Sequence, residues 1–102
     1  MMGAVPKFKV KIDPDLQEIL PGYIEKRKNE IPLLNNALTA LDFEALAMLG
    51  HRLKGSGGGY GLVDLGTYGA ELEAAAKAKN VAKVSEIIKN ISEYLDRLEI
   101  EF

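Results

Sequence analysis

The sequence of 102 residues contains no cysteine, which removes disulfides, thiolate zinc sites and catalytic thiols together. Its single histidine, His51, leaves no multi-histidine metal site, and no metal is assigned. No stretch approaches the roughly 18 consecutive apolar residues of a membrane span. The opening segment, Met1 to Lys7, lacks the apolar core of a signal peptide, so a soluble, cytoplasmic chain with no membrane partner is expected. Excess charge of one sign is also missing. Thirteen Lys and Arg stand against fifteen Asp and Glu, a net charge of -2. That sign does not suit a dedicated binder of phosphate backbones, so no nucleic-acid partner is expected.

What remains is ordinary globular composition, 47% hydrophobic and 27% charged, in a chain long enough for one core and too short for two. At this size folding buries roughly two-thirds of the surface of the unfolded chain, enough for stability without covalent staples.

Hydrophobic periodicity organises the chain. Residues Lys7 to Ile12 alternate lysine with Phe8, Val10 and Ile12, a period of two that predicts an extended arm over residues 1–12. Asp13-Pro14-Asp15 then supplies an N-cap, a proline for the first turn and an acid beside it, which predicts a short helix interrupted by Pro21 and Gly22. Past Pro21, the apolar positions Ile24, Ile31, Leu34, Leu38 and Leu41 predict the first long helix. Asp42 caps a second with the stripe Phe43, Leu46, Leu49 and Leu53. A third runs from about Leu62 to about Lys79, and Asn80 caps a fourth that carries Val81, Val84, Ile87, Ile88, Ile91, Leu95 and Leu98. Short connections between four amphipathic helices predict an all-α, antiparallel up-down-up-down bundle spanning residues 13–102. The last residues, Leu98 to Phe102, alternate again, with glutamates where the arm has lysines. Either the termini pair as a small β-ribbon, Lys facing Glu and Phe8, Val10, Ile100 and Phe102 covering the end of the bundle, or the fourth helix runs on to the terminus.

Glycine is concentrated between Gly50 and Gly69. Each helical glycine costs about 0.5–1 kcal/mol relative to alanine, so this density requires a reason. A phosphate-binding loop is excluded by order: Lys54-Gly55-Ser56 inverts the Gly-Lys-Ser of a Walker A loop, and no G-x-G-x-x-G register fits. A plain loop would have to abandon a stripe that continues through Leu53, and it is retained only for the end of the segment, around Gly59 to Gly61. A helix resolves the rest. With Leu46 and Leu53 facing the core, His51 points about 140° away at 100° per residue, flanked by Ala47, Lys54, Gly55 and Gly58, while Gly50 and Gly57 fall on the core side. An exposed imidazole surrounded by small residues is a surface that another macromolecule can approach closely.

The run His51-Arg-Leu-Lys54-Gly55-Ser56-Gly-Gly-Gly-Tyr-Gly61-Leu62, followed by Leu65 and by Leu72-Glu73-Ala74-Ala75, resembles the signature of histidine-containing phosphotransfer (HPt) domains of two-component phosphorelays. Those domains are four-helix bundles with a short N-terminal cap helix and a phosphoacceptor histidine exposed on the second bundle helix. The resemblance implies that His51 accepts the phosphoryl group, with Lys54 and Ser56 as the polar positions after it and Gly55 as the glycine one turn on. It also implies partners, a response-regulator receiver domain and a sensor histidine kinase, with docking contacts at Ala47, Met48, Gly55 and Gly58 and with Glu44 and Lys54 at the margin.

Imidazole chemistry fits such a role. With a reference pKa near 6.5, a neutral imidazole attacks through a ring nitrogen at working pH, and a cation one turn away stabilises the charge spread over the phosphoryl oxygens. No nucleotide loop, carboxylate cluster for Mg²⁺ or second catalytic base accompanies His51, so the chain is expected to need no cofactor, to lack its own ATP-dependent kinase activity and to rely on Mg²⁺ bound by the receiver. A monomer is expected. The alternative reading is a non-catalytic helical adaptor or regulatory binding module, in which His51 is incidental.

Overall fold

The structure, a computed structural model, describes residues 7–102; residues 1–6 of the expected arm lie outside the described residues. Strand β1 (Phe8–Lys11) leads through a single 3-10 turn (Pro14–Leu16) into helices α1 (Leu20–Asn29), α2 (Ile31–Thr39), α3 (Phe43–Gly59), α4 (Val63–Lys77) and α5 (Val81–Arg97), and strand β2 (Leu98–Glu101) follows α5 directly. The expected four-helix bundle is present, with α1 and α2 together forming its first helix.

That first helix departs from the sequence expectation in two ways. Pro21 does not interrupt a helix but sits in the first turn of α1, where its missing N–H has no intrahelical partner to lose. The continuous helix expected from Pro21 to Leu41 is broken at Glu30, because Pro32 cannot donate to the Lys28 carbonyl and its ring crowds that group. The predicted cap helix is the one 3-10 turn, where the Asp13 carboxylate accepts from the Asp15 amide at 2.9 Å. Asp42 and Asn80 cap α3 and α5 as predicted, accepting from the Ala45 and Lys83 amides, each at 3.1 Å.

Three helices end in the same way. After α3, the Leu62 amide donates to the Gly57 carbonyl and the Gly61 amide to the Gly58 carbonyl, with Gly61 at φ 81°. This is a Schellman closure. The α2 and α4 ends repeat it with Leu41 (φ 54°) and Lys79 (φ 56°) in the left-handed position. Leu41, assigned to the apolar stripe from spacing, is therefore turned outward and is 56% exposed. The loop expected at Gly59–Gly61 is shorter than that, since α3 remains helical through Gly59.

Core residues come from every helix: Leu20, Leu34, Leu46, Leu53, Leu65, Leu72, Ile87, Ile91 and Leu95 are all buried. The fourth stripe has two exceptions: Val81 is exposed at the first residue of α5, and Leu98, expected in the helix, is half-buried in β2 because the backbone turns extended there. The terminal ribbon forms, in parallel orientation, with Phe8 opposite Leu98, Lys9 opposite Glu99, Val10 opposite Ile100 and Lys11 opposite Glu101. Lys7 and Lys9 approach Glu99 at 4.0 and 3.9 Å, contacts too exposed to contribute much. Phe8, Val10, Leu98 and Ile100 pack on the core, and the Phe8 ring lies 5.1 Å from that of buried Tyr94. Phe102 lies further out, on a groove it shares with Leu20, Pro21 and Ile24.

Candidate functional site

The site is built on the α3–α4 pairing, which is set by glycine. A Cβ at Gly50 would stand 2.7 Å from the Glu73 amide nitrogen and 2.8 Å from the Gly69 carbonyl; one at Gly57 would stand 2.7 Å from the Gly66 nitrogen, and one at Gly69 would meet the Lys54 backbone. These distances are below any real Cβ contact, so the two helices run backbone to backbone along this seam. Gly55, Gly58 and Gly59 differ: a Cβ there meets nothing within 4 Å. The glycine excess thus has two separate causes, close helix contact on one side of α3 and a bare outer surface on the other.

His51 projects from the middle of α3 on that outer surface, its side chain 70% exposed. Its Nδ1 lies 3.2 Å from Oε2 of Glu73 on α4, and the same oxygen receives the Lys77 ammonium at 3.2 Å. The Lys77 hydrogen bond, followed by that of His51, holds the Glu73 carboxyl below the usual carboxylate range against the opposing effect of desolvation. An ionised Glu73 can only accept, so its Oε2 is placed to take a hydrogen bond from an Nδ1–H of the ring. Nε2 has no hydrogen-bond partner among the described residues. The arrangement is an exposed imidazole with one ring nitrogen beside a carboxylate and the other without a protein partner among the described residues.

Around it, Glu44, Met48, Lys54, Gly55 and Gly58 are exposed and Ala47 is half-buried. All lie within about 60° of His51 on the helical wheel, so α3 brings these expected residues onto one face. Lys54 makes no ion pair among the described residues. Beside this face a groove of about 310 Å³ is lined by Phe43, Glu44, Ala47, Ala76, Lys77 and Lys79. Ser56 is placed elsewhere. Five residues beyond His51, it faces α1, where its hydroxyl and that of Tyr23 are 2.6 Å apart and the Tyr23 ring stacks on Tyr60 at 4.1 Å.

Glu73, which the structure brings to the imidazole, is not singled out by the pattern of α3 or α4 alone. A signal for it existed. Gly50 and Gly69 mark where α3 and α4 touch, and Glu73 lies one turn beyond Gly69, alongside the flank of His51.

The chain is thus a helical bundle with one solvent-facing imidazole on a bare helix surface. The Hpt domain family model matches residues 18–101, and the chain belongs to that family. No curated protein and no solved structure matches it significantly. Membership implies histidine phosphotransfer in two-component signalling, with receiver domains and histidine kinases as the interacting classes. Among the described residues no group of His, Asp and Glu side chains is arranged to hold a metal ion, and no helix is long and apolar enough to cross a membrane.

Proposed function

We propose that His51 accepts a phosphoryl group through Nε2 from a receiver-domain aspartyl phosphate, or from a histidine kinase, and passes it to another receiver aspartate. In the first step an Nε2–P bond forms as the bond from phosphorus to the aspartate oxygen breaks, and the carboxylate leaves without needing a proton. The phosphorylated ring still carries its Nδ1 proton and gains positive charge, which the Glu73 carboxylate opposes at 3.2 Å. Lys54, one turn along the face, offsets charge on the phosphoryl oxygens. Receiver-bound Mg²⁺ belongs to the partner. The outer face of α3, from Glu44 through Ala47, Met48 and Gly55 to Gly58, is the docking surface, and the chain works as a monomer. The observation that carries this reading is the exposed imidazole anchored at Nδ1 and free at Nε2.

The experiment incubates the chain with phosphorylated receivers and follows acid-labile, base-stable label. His51→Gln abolishes labelling and leaves the melting temperature nearly unchanged, since the side chain supports no core. Labelling of the variant at the parental rate, or collapse of its melt, refutes the assignment. Failure of the parent with a broad panel of receivers favours the adaptor reading.

A further inference from the structure

We propose that Lys77 is a positioning residue that acts on His51 through Glu73, fixing which ring nitrogen is the nucleophile. The geometry is a chain of three side chains meeting at one atom: Lys77 Nζ and His51 Nδ1 both lie 3.2 Å from Glu73 Oε2. Glu73 and Lys77 are four residues apart on α4, with the acid on the N-terminal side, the favourable order for a helical ion pair. His51 and Lys77 are both about two-thirds exposed, while the Glu73 side chain is only 17% exposed. The carboxylate is therefore the covered junction between two solvated groups.

Alone, an imidazole on the surface has no means of holding a flexible glutamate in one rotamer, because exposed pairs of this kind are worth little against side-chain entropy. Lys77 adds a second tether to the same oxygen and keeps the carboxyl ionised, hence acceptor-only toward Nδ1–H. Of the other charged groups on the His51 face, Glu44 is an acid and Lys54 makes no ion pair with Glu73 among the described residues, so neither substitutes for this tether. Lys77 also lines the groove beside Ala47, which puts the tether at the border of the docking face.

The test reads the tautomer, not transfer alone. Imidazole ¹⁵N shifts recorded at alkaline pH, where the neutral ring carries one proton, report the ratio of Nδ1–H to Nε2–H. The parent is expected to favour Nδ1–H, and Glu73→Ala to revert to the ratio of an unrestrained imidazole. Lys77→Ala should lower the parental ratio about two-fold, the scale of one helical i,i+4 pair, and Lys77→Arg should restore it. High salt should reproduce part of the Lys77→Ala effect by screening the pair. In the Glu73→Ala background Lys77→Ala should change nothing. An unchanged ratio in Lys77→Ala, or an equal change without Glu73, overturns the proposal. The consequence for transfer, a slower rate in Lys77→Ala, rests on the phosphorelay reading. A tautomer that responds as stated in a chain that no receiver phosphorylates would refute that reading and leave the positioning role standing.

Discussion

Gly50 and Gly55 lie on one helix five residues apart, and the same substitution at each should have opposite effects. At Gly50 an alanine Cβ would stand 2.7 Å from the Glu73 nitrogen, with backbone as every near neighbour. Restoring an ordinary contact of 3.4 Å requires α4 to retreat by about 0.7 Å. Overpacking of this kind costs about 1–3 kcal/mol, against a gain of about 0.5–1 kcal/mol in helix propensity, so Gly50→Ala should lose on the order of 1–2 kcal/mol net. For a domain of this size that is a fall of several degrees in melting temperature. Because the displaced atom belongs to Glu73, the 3.2 Å contact to His51 should open beyond hydrogen-bonding distance and transfer should slow. At Gly55 the added methyl meets nothing within 4 Å. Gly55→Ala should hold or raise the melting temperature by up to about 1 kcal/mol equivalent, through helix propensity and lower unfolded-state entropy. Gly55→Gln should fold equally well, yet place a long side chain where the receiver must approach for in-line transfer. A misplacement of about 1 Å there costs on the order of 100-fold. Thermal melts and receiver-to-chain transfer rates across the four proteins check this. A Gly50→Ala variant as stable as the parent would refute the close-packed seam, and parental transfer by Gly55→Gln would refute the docking face.

Lys54→Ala should slow transfer or shorten the phosphohistidine lifetime without changing the melt, since it removes an exposed cation one turn from the reacting nitrogen; equal rates and lifetimes would reduce Lys54 to a solubilising residue. Ser56→Ala should cost about 1 kcal/mol by breaking the 2.6 Å Tyr23 contact while leaving the transfer rate intact, because the hydroxyl faces α1; slowed transfer at unchanged stability would put Ser56 in the reaction. Burial first, then the Asp64 charge, pushes the Tyr94 phenol up to about 12 from an ordinary 10.0. Its stabilising contribution is therefore complete below pH 10 and lost as pH rises toward 12. Tyr94→Phe should flatten the loss of stability over that window and remove the last-ionising phenol from the absorbance titration. An alkaline profile unchanged by the substitution would contradict the assignment.

Legibility followed the range of the interaction concerned. Caps at Asp13, Asp42 and Asn80 were readable because an N-cap is satisfied within three residues of itself, and the stripes of α3, α4 and α5 because one helix face samples one environment. The parallel ribbon was readable as a pairing of complementary alternations. Its parallel direction is not contained in the alternation, which fits either orientation. The break at Glu30 was available from Pro32, whose missing donor and crowded ring outweigh a helical stripe that continues across it. Leu41 departs from its stripe for a subtler reason. Its spacing obeys the stripe, but a Schellman closure turns the residue after the C-cap out of the helical path, and the sequence shows leucine where the geometry favours glycine.

The site divided along the same line. His51 and its bare surround could be placed from α3 alone, because a single helix fixes the angle between one side chain and the next. Glu73 could not, because its role depends on how near α4 comes and at what register. That distance is written in residues whose meaning is pairwise: Gly50 against Glu73 and Gly69, Gly57 against Gly66. Read along one helix, those glycines are destabilising positions without a function. Read across two, they allow the backbones to approach until a carboxylate one turn past the contact reaches the imidazole. The same residue type therefore does opposite things on the two sides of α3. Inside, glycine lets the Glu73 carboxylate come within 3.2 Å of Nδ1, and outside, it leaves the surface around His51 bare. A chain with alanine at Gly50, Gly57 and Gly69 would gain helix propensity and lose the close seam.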